Sequence, residues 1–183
     1  RTDKMTINAS NVLGNYDRGI IFHWMEATIG ELIIDCDVDE ENREALNFRD
    51  IHNHDILTFN RHYTFYGMNI EHSDMHTLNF KAGVNMQNEV VRDCNNLTTI
   101  NIYLDAQNPT YLGESAIGFG LSNLTTINII GPSDAISKGM IEINDNALSF
   151  VENVTVNVPW SNSATPNAPW GAYNATINYD CTF

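Results

Sequence analysis

Histidines are concentrated in one short stretch of the chain. Five of the six lie within 25 residues, and these are His52, His54, His62, His72 and His76. His72 and His76 have a spacing at which two metal ligands share one face of a helix. This segment, however, runs into an alternating, strand-like pattern, and no Cys or Glu completes a set of ligands. We therefore expect no metal site here.

The densest acidic run begins at Asp35 and continues through Asp37 and Asp39. Alternating carboxylates can converge on a hard cation such as calcium. A helix–loop–helix calcium site does not fit, because Glu40 stands at the position that requires Gly and Leu46 at the position of the closing Glu. We expect a solvated acidic turn without a cofactor, and calcium binding by the three aspartates stays the open alternative.

Residues 47–76 combine Tyr, Arg and His with a local relief from the negative charge of the chain. Recognition surfaces favour such side chains. The residues predicted to bind a partner are Arg49, His52, Asn60, Arg61, His62, Tyr63, Tyr66, His76, Asn79 and Asn101. The alternative is ordinary loop decoration between tight repeats.

Charge and composition exclude several classes of function. The net charge of −14 argues against binding to a nucleic-acid backbone, which needs clustered Lys and Arg, and against anionic membranes. No apolar run approaches the roughly 18 residues of a membrane span, so we expect no membrane insertion. Hydrolase and phosphate-loop motifs do not occur, and we expect no enzyme. Arg1 is not an initiator Met, so we expect a processed or excised C-terminal piece.

An internal repeat explains how the chain is organised. The segment Asn-Leu-Thr-Thr-Ile-Asn-Ile occurs at 96–102 and again at 123–129, which is 27 residues later. The same apolar-x-apolar pattern begins at residues 5, 32, 57, 78, 100, 127, 154 and 177. Steps of 21 to 27 residues lie within the range of leucine-rich repeats. Each pattern predicts a short strand, and stacking predicts a parallel ladder with about 4.8 Å between strands.

The ladder places equivalent outward positions of successive strands side by side. One predicted row is Lys4, Glu31, Ile56, Thr77, Thr99, Thr126, Asn153 and Thr176; the other is Thr6, Ile33, Thr58, Asn79, Asn101, Asn128, Thr155 and Asn178. Such Thr and Asn rows can stabilise the sheet by hydrogen bonds between strands, or they can present hydrogen-bond donors and acceptors to a ligand. The register also predicts two surface pairs, Lys4 with Glu31 and Asp55 with His76.

The segments between strands carry a second pattern. Leu112–Ile117 and Ile143–Leu148 share apolar-x-acidic-x-Ala-apolar, and 90–97 supplies the next part of the unit. The combined unit resembles the BspA-like (Treponema-type) leucine-rich repeats, well over 84–159 and loosely over 1–83. The resemblance implies a repeat solenoid with a parallel β-ladder on one face and irregular or short helical segments on the other. The expected solenoid spans 1–159.

A Pro- and Trp-rich tail, 160–183, is expected to cap the solenoid and to add a last strand. It resembles the closing segments of BspA-like proteins from gut bacteria and their phages. We predict that Trp160 and Trp170 plug the last repeat; the alternative is an exposed aromatic platform for sugar. Three cysteines without C-x-x-C spacing predict small buried side chains rather than a disulfide framework.

The resemblance implies an extracellular, non-catalytic binding or adhesion module on a bacterial surface or a phage tail or fibre, where it would form a homotrimer. The implied partner is a host-cell protein or glycan. Two alternatives come from other classes: a structural spacer or assembly domain, and a β-helix carbohydrate-active enzyme. The enzyme would need paired carboxylates on one face, whereas the predicted outward rows are mainly Thr and Asn.

Overall fold

The structure, a computed structural model, describes residues 2–7, 20–21, 29–36, 46–52, 54–164 and 167–183. In these residues the chain is built from short parallel strands. In chain order they are β1 (Thr2–Ile7), β2 (Ile20–Ile21), β3 (Ile29–Ile34), β4 (Leu46–Arg49), β5 (His54–Phe59), β6 (Thr64–Phe65), β7 (Ile70–Glu71), β8 (Thr77–Phe80), β9 (Asn85–Met86), β10 (Val91–Arg92), β11 (Thr99–Tyr103), β12 (Thr110–Leu112), β13 (Thr126–Ile130), β14 (Ile141–Ile143), β15 (Thr155–Asn157) and β16 (Thr176–Asn178).

The strands form three parallel sheets. The long sheet has eight strands in the order β1-β3-β5-β8-β11-β13-β15-β16. The second sheet contains β6, β9, β12 and β14, and the third contains β2, β4, β7 and β10. From β5 to β11, each coil passes from the long sheet to the second, then to the third, and returns one strand further along. The next two coils, from β11 to β15, have a strand in the second sheet and continue the third only through the Val91–Ile117 bridge. The predicted solenoid is therefore confirmed as a parallel β-solenoid.

The predicted register is confirmed along most of the long sheet. Met5 pairs with Leu32, Leu32 with Leu57, Leu57 with Leu78, Leu78 with Ile100, and Ile100 with Ile127. Lys4 and Glu31 are partners in this register, and their charged atoms lie 3.5 Å apart. His76 and Asp55 also form their predicted pair, at 2.9 Å.

The register predicted for the seventh strand is wrong by two residues. Ile127 pairs with Val156 rather than Val154, and Val156 pairs with Ile177. Both valines are buried, so apolar spacing alone does not distinguish them. The pairing instead aligns Thr155 with Thr126 and Asn157 with Asn128, which continues both polar rows.

The short helical segments expected opposite the ladder are not supported by the described residues, although irregular turns are present. Two further sheets stand there, and the described residues contain one 3-10 helix, Asn162–Ala164. Their strands are only two to four residues long, as in Thr64–Phe65. Alternation over so few residues gives no periodic signal in the sequence.

The core runs along the inside of the three sheets. Leu, Ile and Val fill most of it, and an aromatic group occupies the N-terminal half, where the Phe59 ring stacks on Phe80 with centroids 5.3 Å apart. At the C-terminal end Trp160 and Trp170 are buried, as expected of plugs, and the alternative of an exposed sugar platform is wrong for these two rings. Cys36 and Cys94 are buried and free, as predicted, whereas Cys181 is half-buried.

Candidate functional site

The predicted binding residues on the long sheet belong to a side-chain ladder. The Nδ2 group of Asn101 donates to Oδ1 of Asn79 at 2.8 Å, and Asn79 donates in turn to Oγ1 of Thr58 at 3.0 Å. Asn79 is buried, and Asn101 is half-buried. His76 lies on the same sheet, in its pair with Asp55. These contacts satisfy the side chains within the sheet, which favours stabilisation over ligand binding at this position.

A second group of predicted residues lies in the turn between the long and second sheets. Asn60 is exposed, His62 is half-buried, and Arg61 Nε donates to Oδ1 of Asp35 at 2.6 Å. Asp37 and Asp39, from the acidic run, lie outside the described residues. Tyr66 follows β6 and is 45% exposed.

Tyr63 is buried and does not lie on the surface where a binding residue was expected. Its ring is buried beside Phe59 at a centroid distance of 5.6 Å. Its hydroxyl donates to the Cys36 carbonyl at 2.7 Å and accepts from the Cys36 N–H at 3.1 Å. Burial raises the pKa of the Tyr63 phenol above its usual range. The residue fastens the core to the turn after β3.

Arg49 and His52 lie on or after the third sheet, away from the other predicted residues. His52 Nδ1 lies 3.0 Å from Oδ2 of Asp74 on the next coil. The predicted residues are therefore distributed around the solenoid and do not converge on one site. Asn79 and Asn101 lie in the outward row that the register predicts, and His76 pairs with Asp55 as predicted. For the other predicted residues the sequence provides residue type but no register.

Arg49 instead begins a row of contacts that the sequence did not suggest. We call Arg49, Glu71, Arg92, Phe119 and Phe150 the polar–aromatic row. Glu71 is 3% exposed and receives a guanidinium from each side. Arg49 Nε lies 2.7 Å from Oε1 of Glu71, while Arg92 Nε and Nη2 lie 2.8 and 2.7 Å from Oε2. Register causes this, because β4 and β10 both pair with β7 at Glu71. A buried carboxylate needs such compensation.

The row continues into exposed aromatic rings. The Arg92 guanidinium lies 5.5 Å from the centroid of the Phe119 ring, a cation–π distance. Phe119 meets Phe150 edge to face, with centroids 6.0 Å apart. Phe119 is 40% exposed and Phe150 is 51% exposed. Exposed neighbouring rings beside a fixed arginine match the composition of recognition surfaces.

Close backbone packing places Phe119. Val91 forms a parallel bridge with Ile117, and the N–H of Asp93 donates to the Phe119 carbonyl at 2.9 Å. A Cβ atom at Gly120 would lie 2.8 Å from Cα of Asp93, and Gly120 has a φ of +73°. Only glycine suits this close approach in the left-handed region. The ring is therefore held on a tightly packed turn rather than on a free loop.

The remaining histidines of the described chain are His72 and His54. His72 lies 3.7 Å from Asp50 and 3.8 Å from Asp93 on the flanking coils. His54 is buried, and desolvation lowers its pKa to about 4 despite the nearby Asp74 carboxylate. The described residues hold no group of three ligating side chains placed to hold a metal ion.

The sequence contains a signal for the aromatic pair. The two aligned segments Leu112–Ile117 and Ile143–Leu148 each reach a Phe two residues further on, at Phe119 and Phe150. Extending that alignment would have placed both rings at equivalent positions of successive coils.

Comparison with protein-family models, with curated proteins and with solved structures yields no match. Among the described residues, no helix has the length and apolar character needed to cross a membrane.

Proposed function

We propose that this chain is a non-catalytic binding module of an extracellular protein, on a bacterial surface or in a phage tail or fibre, that recognises a host-cell protein or glycan. The observation that carries the proposal is the exposed Phe119–Phe150 pair. Phe119 lies beside Arg92, which is held in place by the buried carboxylate of Glu71. Rings fixed on a rigid scaffold lose little conformational entropy on binding. The proposed binding site is the aromatic end of the polar–aromatic row rather than residues 47–76.

Membership of the BspA-like leucine-rich repeats is part of this proposal. It is supported by the repeated apolar-x-acidic-x-Ala-apolar unit and by the alternation of inward apolar and outward Thr or Asn residues on the long sheet. The strands of the second and third sheets depart from the helical or irregular outer face that the family resemblance implied.

The test is binding of the whole chain to host cells and to arrays of host proteins and glycans. Phe119→Ala combined with Phe150→Ala should reduce binding at least tenfold, because both exposed rings are lost while the core is untouched. Phe183→Ala is the matched control, since it removes an exposed ring, 59% accessible, at the chain end. Unchanged binding by the double variant, with native circular dichroism and melting temperature, would refute the proposal.

A structural spacer or assembly domain is the second candidate, and the first strand favours it. Met5 stands in an inward position, in register with the fully buried Leu32, yet it is 40% exposed. Among the described residues β1 is the edge strand of the long sheet, and an accessible inward apolar side chain at such an edge is suited to further stacking. A concentration-dependent rise in mass that Met5→Lys abolishes would support assembly through this edge.

A further inference from the structure

We propose that the aromatic end of the row binds a cationic segment of a protein partner, with a Lys or Arg side chain of that partner placed over the Phe150 ring and the exposed Glu152, two residues further along, supplying a carboxylate. This inference rests on the proposed binding function and specifies the chemistry of its partner.

The row already shows one cation on an aromatic ring. The Arg92 guanidinium occupies the neighbourhood of Phe119 at 5.5 Å, within the distance at which the negative face of a ring attracts a cation. Phe150 is the more exposed of the two rings, and within the described part of the chain it has no such cation. The geometry at Phe119 is therefore available for repetition at Phe150 by a cation from outside.

The charge of this half of the molecule favours a cation. From Asp93 to Phe183 the sequence contains eight carboxylate side chains and a single basic residue, Lys138. Lys138 is engaged with Asp134 at 2.9 Å. Asp93 is 28% exposed at its side chain, and Glu152 is exposed two residues after Phe150. Arg92, beside Phe119, is paired with Glu71, so partner cations would be drawn to these rings by the excess of carboxylates in this half of the chain.

Anionic ligands are disfavoured at the same place. Arg92 directs Nε and Nη2 at Glu71, so this edge of its guanidinium is not open to an incoming phosphate or carboxylate. Arg49 is held by the same buried carboxylate. A neutral glycan could stack on Phe150 and donate hydroxyl hydrogen bonds to Glu152, but it carries no charge, so its binding would depend little on salt. Salt dependence therefore distinguishes the two partner classes.

The experiment measures binding of the whole chain to a peptide amide of four lysines and to an array of neutral oligosaccharides, each at about 20 and about 300 mM NaCl. We expect the peptide to bind at low salt and to weaken at high salt. Phe150→Leu keeps an apolar side chain but removes the ring quadrupole, and should weaken peptide binding about 2- to 5-fold. Glu152→Gln should also weaken it.

Two matched controls separate the site from the general charge of the protein. Phe183→Leu removes an exposed ring elsewhere, and Glu142→Gln removes an exposed carboxylate from the second sheet. Both should bind the peptide as the parent does. Equal weakening by Glu142→Gln and Glu152→Gln, or no weakening by Phe150→Leu, would overturn the inference.

The outcomes also separate this inference from the proposed function. Oligosaccharide binding that requires Phe150 and ignores salt would assign the ring to a glycan and overturn the cationic partner while supporting the binding module. Loss of host-cell binding in the Phe119→Ala, Phe150→Ala variant, without peptide binding by the parent at millimolar concentration, would have the same meaning. Peptide binding that needs Phe150, with cell binding unaffected by the double variant, would support the site and refute the adhesion role.

Discussion

The Asn128 side chain donates its Nδ2–H to Oδ1 of Asn101 across 2.7 Å. Asn157 donates to Asn128 at 2.7 Å and Asn178 to Asn157 at 2.8 Å, always toward the preceding strand. The amides therefore form one chain of hydrogen bonds with a single direction, in which each bond polarises the next. This chain of asparagine side chains thus adds a second set of hydrogen bonds to the backbone hydrogen bonds of the long sheet.

Loss of an interior amide should cost more than loss of a terminal one. Asn128→Ala removes two side-chain hydrogen bonds and should lower the free energy of unfolding by about 1–3 kcal/mol. Asn178→Ala removes one exposed bond at the edge strand and should cost about 0.5 kcal/mol. Urea denaturation of both variants measures the difference, and equal costs would show that the ladder contributes nothing beyond surface polarity.

Removing one arginine from Glu71 should expose how a buried carboxylate depends on its partners. Arg92 is less exposed than Arg49 and makes two close contacts with Glu71. We expect Arg92→Met to destabilise the protein by about 3 kcal/mol and Arg49→Met by about 1 kcal/mol, because the remaining arginine compensates less well in the first case. Thermal and chemical denaturation at low ionic strength would measure both. The reverse order would contradict the assignment of Arg92 as the main partner.

Burial of neutral His54 should make stability depend on pH. The folded pKa is about 4, because burial disfavours the charged ring, whereas the unfolded value is about 6.5. As the pH falls below about 6.5 the unfolded chain takes up the proton first, so stability is complete above that pH and is lost toward pH 4. The loss from this residue is about 3 kcal/mol.

The matching variants are His54→Leu and His76→Gln. His54→Leu should flatten the stability curve between pH 6.5 and 4, relative to the parent, as measured by urea denaturation at each pH. His76→Gln changes a side chain that is 58% exposed and should leave the His54-dependent slope in place. If the stability of both variants falls with pH as steeply as that of the parent, His54 is not the titrating group.

The three thiols should differ in reactivity. Cys94 is buried, and desolvation raises its pKa to about 12, so it carries almost no thiolate at pH 8. Cys36 is also buried, whereas Cys181 is half-buried near the chain end. A thiol reagent at pH 8 should modify Cys181 in the folded protein and all three cysteines in urea. Rapid modification of Cys94 without denaturant would contradict its placement in the core.

The sequence was sufficient for most of the long sheet, because buried and outward residues alternate in strands such as Thr99–Tyr103. It was insufficient for β15, where Val154 and Val156 both satisfy an inward position. It could not place the second and third sheets, whose strands are too short to alternate, as Val91–Arg92 shows. The Arg49–Glu71–Arg92 contacts follow from that third register, so residue type alone could not locate them.

The coil that ends at Val156 is two residues longer than the coil that ends at Ile127, yet both strands keep Thr, an apolar residue and Asn in line. The strand register is therefore kept even where the coil length differs. An insertion in a turn should be absorbed locally, whereas a one-residue slip inside Thr155–Asn157 would exchange the inner and outer faces of that coil. Turns between sheets are accordingly the places where this scaffold can gain or lose residues and grafted loops while its framework persists.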